Sequence, residues 1–311
     1  MSPTRQRVQV EGRQLEVSNL DKVLFGEVGF TKAMVIDYHV RIAPVLLPHV
    51  AGRPVTFTRW PDGVDGPSFF EKNSARHAPA WVRRVTVPSP GSTRGRETLD
   101  MVLLETVPDL VWSANMAALE VHVPQWRVGA DGVPELPDLL VLDLDPGPGA
   151  GIAECCAVAE RLRRLLVTDG LHPVVKTSGS KGMQVYAPIS CADADHPSRY
   201  ARDLAQQLSR ETPEQVVWRM EKALRPGKVL VDWSQNNTAK TTVAPYSLRA
   251  RAGATVSTPL DWAEVDGVRD GADPATLRFD TAAVLDRVER LGDLFAVPER
   301  HRAALPEVPA R

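Results

Sequence analysis

Residues 139–145, LLVLDLD, form an apolar run stopped at once by Pro146-Gly147-Pro148-Gly149, and nothing else in the chain constrains the fold as tightly. A run this short, bounded by turn formers, reads as a buried strand. After the turn, Ile152, Cys155, Cys156, Ala159, Leu162, Leu165 and Leu166 recur at three- and four-residue spacing, and Gly170 follows them. That pattern predicts a helix closed by a glycine. Strands at 173–177 (PVVKT) and 183–189 (MQVYAPI) flank the turn SGSKG, a helix is expected near 197–210, and a last strand at 228–233 (KVLVDW). The order β-α-β-β-α-β is ferredoxin-like or RRM-like, an α+β arrangement in which the first and last strands are neighbours. Asp143 and Asp145 should therefore lie beside Asp232.

Upstream, residues 32–50 carry a helical pattern, strand-like runs fall around 54–59, 82–87 and 98–104, and residues 111–120 (VWSANMAALE) read as a helix. The Pro/Gly-dense stretches 60–67, 88–95 and 128–137 read as loops. The last is the expected boundary between an N-terminal α/β module, 1–130, and a catalytic module, 131–300, the two packed as effectively one domain. A chain of 311 residues, 43% of them hydrophobic, can bury a core of that size, which argues against disordered and solenoid classes. Cys155 and Cys156 are adjacent and Cys191 stands alone, so neither a disulfide framework nor a structural zinc is expected. With no 18-residue apolar run and no signal-like N-terminus, a soluble cytoplasmic protein without a membrane partner is expected.

The formal charge of −2 hides a segregation. Residues 219–251 hold seven basic and two acidic side chains, whereas 261–300 hold ten acidic and five basic ones. An acidic C-terminal segment thus masks a basic one, and the total does not exclude a phosphate-rich partner.

Side chains two apart on a strand share a face, so Asp143 and Asp145 point together while Leu144 points to the core. Two carboxylates ending an apolar strand need water, hydrogen bonds or cations to offset their desolvation. Asp232 would complete an oxygen set suited to Mg²⁺ or Mn²⁺. A strand ending in D-x-D also opens haloacid-dehalogenase phosphatases, but here Pro146 and Gly147 follow where that motif continues with Thr or Val. The turn at 177–182 (TSGSKG) offers hydroxyls, amides and an ammonium, with glycines that permit close approach of a phosphate. Metal site, phosphate cradle and basic segment together suggest nucleotidyl transfer.

In order, PDLLVLDLDPGPG (137–149), KTSGSKGMQVYAPI (176–189) and KVLVDWSQNN (228–237) resemble the three motifs of the polymerase domain of bacterial DNA ligase D, in the primase-polymerase superfamily. Further matches are NLDKVLF (19–25), AGRPVTFTRWPDGV (51–64), FFEK (69–72), ALEVHVPQWR (118–127) and KTTVAPYSLRAR (240–251). The resemblance implies template-directed nucleotidyl transfer to a DNA or RNA 3′-hydroxyl from NTP or dNTP, at short gaps or broken ends in DNA repair. It implies two Mn²⁺ or Mg²⁺ ions on Asp143, Asp145 and Asp232, with His122 beside them. It further implies nucleotide contacts at Ser178, Lys181, Gln184, Arg225, Gln235, Arg249, Phe69, Phe70 and Arg59, and a DNA 5′-phosphate pocket at Asn19, Lys22 and Lys32. Ku and a separate ligase are the partners it suggests, in a nucleoid-associated cytoplasmic setting. Because no ligase or nuclease motif is present in the 311 residues, a stand-alone form is expected. Two positions depart from the pattern. Gln184 stands where the family usually has His, and Phe57-Thr58-Arg59-Trp60 leaves one cation in place of a basic run. Since Gln can donate a hydrogen bond but cannot move a proton, a DNA-end binding or bridging module with weakened catalysis is the alternative.

Overall fold

The computed structural model describes residues 4–74, 78–89, 97–297 and 299–307. Its centre is the expected four-stranded sheet. Leu139–Pro146 lies between Val229–Asp232 and Met183–Ser190, and Val174–Thr177 pairs with the far side of Met183–Ser190, all antiparallel. In chain order the strands run fourth, first, third, second, which is the ferredoxin-like order. Short strands extend both edges, Val216–Val217 beside the fourth and Pro259–Leu260 beside the second.

Alternation divides the two faces of this sheet. Leu140, Leu142 and Leu144, with Met183, Val185 and Ala187, turn one way and pack on the helices Ile152–Thr168 and His196–Glu211. The first helix presents Cys155, Cys156, Ala159, Leu162 and Leu166, the stripe its spacing predicts, and Gly170 follows its end at φ +78°. The cysteines are thiols used as small apolar filling. Val141 and Tyr186, on the opposite face, join a second core with the N-terminal half of the chain.

That second core contains the helix Lys32–Val50, capped by Thr31, and a sheet in the order Thr242–Val243, Ala118–Val123, Thr56–Arg59, Phe69–Glu71. Thr242–Val243 comes from beyond the catalytic strands, so the two sheets share chain as well as core. The expected helix over 111–120 is only half present. Val107–Asn115 is helical, Ala117 takes φ +55°, and Ala118–Val123 is a strand paired on both sides. Cross-strand pairing overrides the helical preference of Ala, Leu and Glu there. The strand expected at 82–87 is Arg84–Pro88, hairpinned with Thr98–Val102, and most of the loop expected at 88–95 lies outside the described residues.

The acidic C-terminal segment forms the helices Trp262–Arg269 and Thr281–Leu291. Much of its charge is met locally, Glu264 by Arg287, Asp266 by Arg269 and Asp286 by Arg290. Among the described residues no helix is long and apolar enough to cross a membrane.

Candidate active site

A cleft of about 750 Å³ opens between the two sheets, lined by His122, Asp143, Asp145, Ser178, Lys181, Gln184, Gln235 and Arg249 among others. The aspartates meet there because of register. Asp143 sits directly opposite Asp232 on the neighbouring strand, and Asp145 follows on the same face. One carboxylate oxygen of each lies within 4.8 Å of the others.

Burial pushes Asp143 up to about 7, and the charges of Asp145 and Asp232 add to the rise, while Gln184 and Lys176 oppose it. Asp145 is raised by burial and by Asp232, against the pull of Arg225 and Arg249. The cleft therefore holds more negative charge than its own side chains offset. Asp232 is held in place by Ser234, whose N–H donates to Oδ1 at 2.9 Å, and by Gln235, whose Nε2 donates to Oδ2 at 2.8 Å. Three clustered carboxylates with uncompensated charge, and no Cys or His among the ligating atoms, fit a hard divalent cation and not a structural zinc.

Facing the aspartates is the turn between Val174–Thr177 and Met183–Ser190. Ser178 Oγ accepts from the N–H of Gly182 at 3.3 Å and so closes the loop on itself. Gly182 is required by proximity, since a Cβ there would lie 2.0 Å from the carbonyl oxygen of Leu144. Gly147 is required likewise, because its Cβ would fall 1.9 Å from the carbonyl oxygen of Arg225. The Pro-Gly-Pro-Gly turn is thus clamped to the basic segment it precedes.

Arg249 spans the cleft. Its Nη1 donates to the carbonyl of Ser178, and its Nε donates to Glu120 Oε1 at 2.9 Å. The other Glu120 oxygen lies 3.0 Å from His122 Nε2. Burial alone would raise Glu120, but His122 and Arg249 outweigh it and hold the carboxyl down at about 2. Glu120 escaped the sequence reading, although its place two residues before His122, on the same strand face, is a signal for it. Lys176 escaped as well. A lysine inside the apolar run PVVKT is an anomaly, and here it is fully buried behind Gln184.

The remaining expected residues divide by location. Phe69 and Phe70 are exposed on the edge strand, and the Phe70 ring meets His122 edge to face at 6.4 Å between centroids. Arg225 donates to the Met220 carbonyl at 2.6 Å and acts on Asp145 through its charge, but it does not line the cleft. Arg59 does not line it either. It is anchored to Glu71 at 2.7 Å and to the Met116 carbonyl at 3.0 Å. Its charge acts instead on Lys32, which burial, Lys22 and Arg59 together shift down. Asn19, Lys22 and Lys32 form a separate group at the start of the Lys32–Val50 helix. The Lys22 N–H donates to the Asn19 carbonyl at 3.0 Å, and the Lys32 N–H to the Lys22 carbonyl at 2.9 Å. In this state the Lys22 ammonium pairs with Asp62 at 2.8 Å.

Residues 31–295 match the family described as LigD, primase-polymerase domain. The multifunctional non-homologous end joining protein LigD of Mycolicibacterium smegmatis is 45% identical over 286 residues, covering 91% of this chain and 36% of that protein. The bifunctional LigD of Bacillus subtilis is 31% identical over 284 residues, covering 91% of this chain and 44% of that protein. The chain thus spans less than half the length of these relatives. Among solved structures, the polymerase domain of Mycobacterium tuberculosis ligase D in complex with DNA superposes with a TM-score of 0.83 at 43% identity, covering 90% of this chain and 96% of that one.

Proposed function

The chain belongs to the LigD primase-polymerase domain family, and on that premise we propose that it is a template-directed nucleotidyltransferase. It adds NTP or dNTP to a DNA or RNA 3′-hydroxyl at short gaps or broken ends. The observation that carries this reading is the cross-strand meeting of Asp143, Asp145 and Asp232 beneath the turn SGSKG.

In the proposed mechanism the three carboxylates would hold a pair of Mn²⁺ or Mg²⁺ ions, which would supply Lewis-acid stabilisation of the triphosphate and acidify the attacking hydroxyl. The protein's own groups bind and orient. Ser178, Lys181 and the N–H groups of the turn hold the triphosphate, and Arg249 brings a guanidinium to it while keeping the turn fixed to Glu120. Gln235 steadies Asp232, and His122, steadied by Glu120, borders the reacting phosphates. Phe69 and Phe70 offer exposed faces on which a base or template can stack. Arg225 balances Asp145 from the loop beside it. Asn19, Lys22 and Lys32 grip the 5′-phosphate across a gap, with Asp62 displaced from Lys22 as the phosphate arrives. Repair by end joining is the setting the relatives' names suggest, and Ku and a separate ligase are the partners the sequence resemblance implies.

Primer extension on a gapped duplex carrying a 5′-phosphate, with Mn²⁺ and each nucleotide type, tests the proposal. Extension is expected. Binding of the gap with no extension would overturn the enzyme and leave an end-bridging module.

A further inference from the structure

On the proposed role of Asp143 in holding a metal ion, we infer that Lys176 is a positioning residue for that site, acting through Gln184. Four side chains form a straight row across adjacent strands. Asp232 lies opposite Asp143, Asp143 opposite Gln184, and Gln184 opposite Lys176. The row passes from two carboxylates through a neutral amide to an amine. Lys176 is fully buried, and its Nζ donates to Gln184 Oε1 at 2.5 Å and to Ser257 Oγ at 2.7 Å. Ser257 in turn donates to the Thr177 carbonyl at 2.9 Å, so its hydroxyl hydrogen is spent and it receives the lysine as an acceptor.

An amide is nearly symmetric in shape but not in polarity, and a carboxylate can only accept. The contact with Lys176 engages Oε1 and leaves Nε2 as the end available to Asp143, which sits directly opposite Gln184 on the neighbouring strand. The reverse orientation would set Oε1 against a carboxylate and Nε2 against a donor. Tyr186 reinforces the same choice, its hydroxyl lying 3.4 Å from Oε1 and 2.8 Å from Thr242 Oγ1. Burying a lysine costs free energy that a methionine of similar length would not incur. Packing therefore does not account for Lys176, and polarity does. An amine donates whether or not it carries a charge, so the orientation of Gln184 does not depend on the protonation of Lys176.

The test is direct Mn²⁺ binding to the full chain, read from the electron paramagnetic resonance of free Mn²⁺ without DNA or nucleotide. Lys176→Met should bind Mn²⁺ about tenfold more weakly than wild type, as expected when a group that orients a ligand is removed. Lys176→Gln, which keeps a donor at that position, should stay within about threefold of wild type. Gln184→Ala should lose about as much as Lys176→Met, and the double variant no more than Gln184→Ala alone, because the lysine acts only through the amide. Wild-type affinity in a folded Lys176→Met, losses that add in the double variant, or a Lys176→Gln as weak as Lys176→Met would each overturn the inference. Were Lys176→Met not to fold, Lys176→Leu, which also removes the donor, takes its place alone and in the double variant, with the same expected loss and the same overturning outcomes. A wild-type protein that binds no Mn²⁺ would overturn the metal reading itself, an outcome distinct from unchanged binding in the lysine variants.

Discussion

Replacing Glu120 by Gln isolates the buried bridge on which the cleft depends. Glu120 keeps its shape in the variant but loses the charge that meets Arg249 and the oxygen that meets His122. The fall of its carboxyl from the ordinary 4.5 to about 2 corresponds to roughly 3 kcal/mol of preference for the ionised form, at about 1.36 kcal/mol per pH unit. The folded value lies below the unfolded one, so this stabilisation is complete above the unfolded value and is lost as pH falls through the folded value. Urea denaturation of both proteins should give a stability difference of about 3 kcal/mol at pH 6, shrinking to about 1 kcal/mol at pH 3. Subtracting one protein from the other cancels the carboxylates they share. The same variant loosens Arg249 from Glu120, so the apparent KM for nucleotide should rise several-fold through the loosened Ser178 turn. A difference below about 1 kcal/mol at pH 6, or one that does not shrink toward pH 3, would refute the claim that Glu120 is held ionised by His122 and Arg249.

Other outcomes follow from the same geometry. Asp145→Ala should abolish primer extension while sparing most DNA binding, measured by fluorescence anisotropy; extension at the wild-type rate would remove Asp145 from the metal site. Metal-free protein should lose stability as pH rises from about 4 toward about 7, because the folded value of Asp143 is raised and its protonated form is favoured only in the folded state. Thermal melts of Asp143→Asn should show a shallower slope, with Asp145, also raised, left to contribute, and a slope equal to that of wild type would contradict the reasoning. Gly182→Ala places a Cβ 2.0 Å from the Leu144 carbonyl, so a loss of about 2–3 kcal/mol is expected by urea denaturation, with wild-type stability refuting the close approach. Lys22→Ala should erase the preference for a 5′-phosphorylated gap over a 5′-hydroxyl one, and retention of that preference would place the phosphate elsewhere. Since the Lys22 to Asp62 pair is exposed, Asp62→Ala should change stability by less than about 1 kcal/mol.

The local pattern of the chain determined the central sheet and where its carboxylates lie. A buried strand needs one apolar face, and the alternation of Leu140, Leu142 and Leu144 with Asp143 and Asp145 specifies which side turns to the helices and which to the cleft. The turn SGSKG and the D-x-D strand end were legible for the same reason, as short motifs whose geometry is set by neighbours in sequence. Where partners are distant, local pattern misleads or is silent. Residues 111–120 carry helix formers throughout, yet Ala118–Val123 is a strand because Thr56–Arg59 and Thr242–Val243 pair with it from both sides. Arg59, a nucleotide contact by the family resemblance, is held by Glu71 and the Met116 carbonyl, partners that its local sequence does not announce, and its charge acts on Lys32. Glu120 and Lys176 look like isolated charges in apolar strands until the fold supplies Arg249 from 129 residues away and Ser257 from 81. Burying a charge is costly unless a specific partner meets it, and partners so far along the chain are brought together only by the tertiary fold.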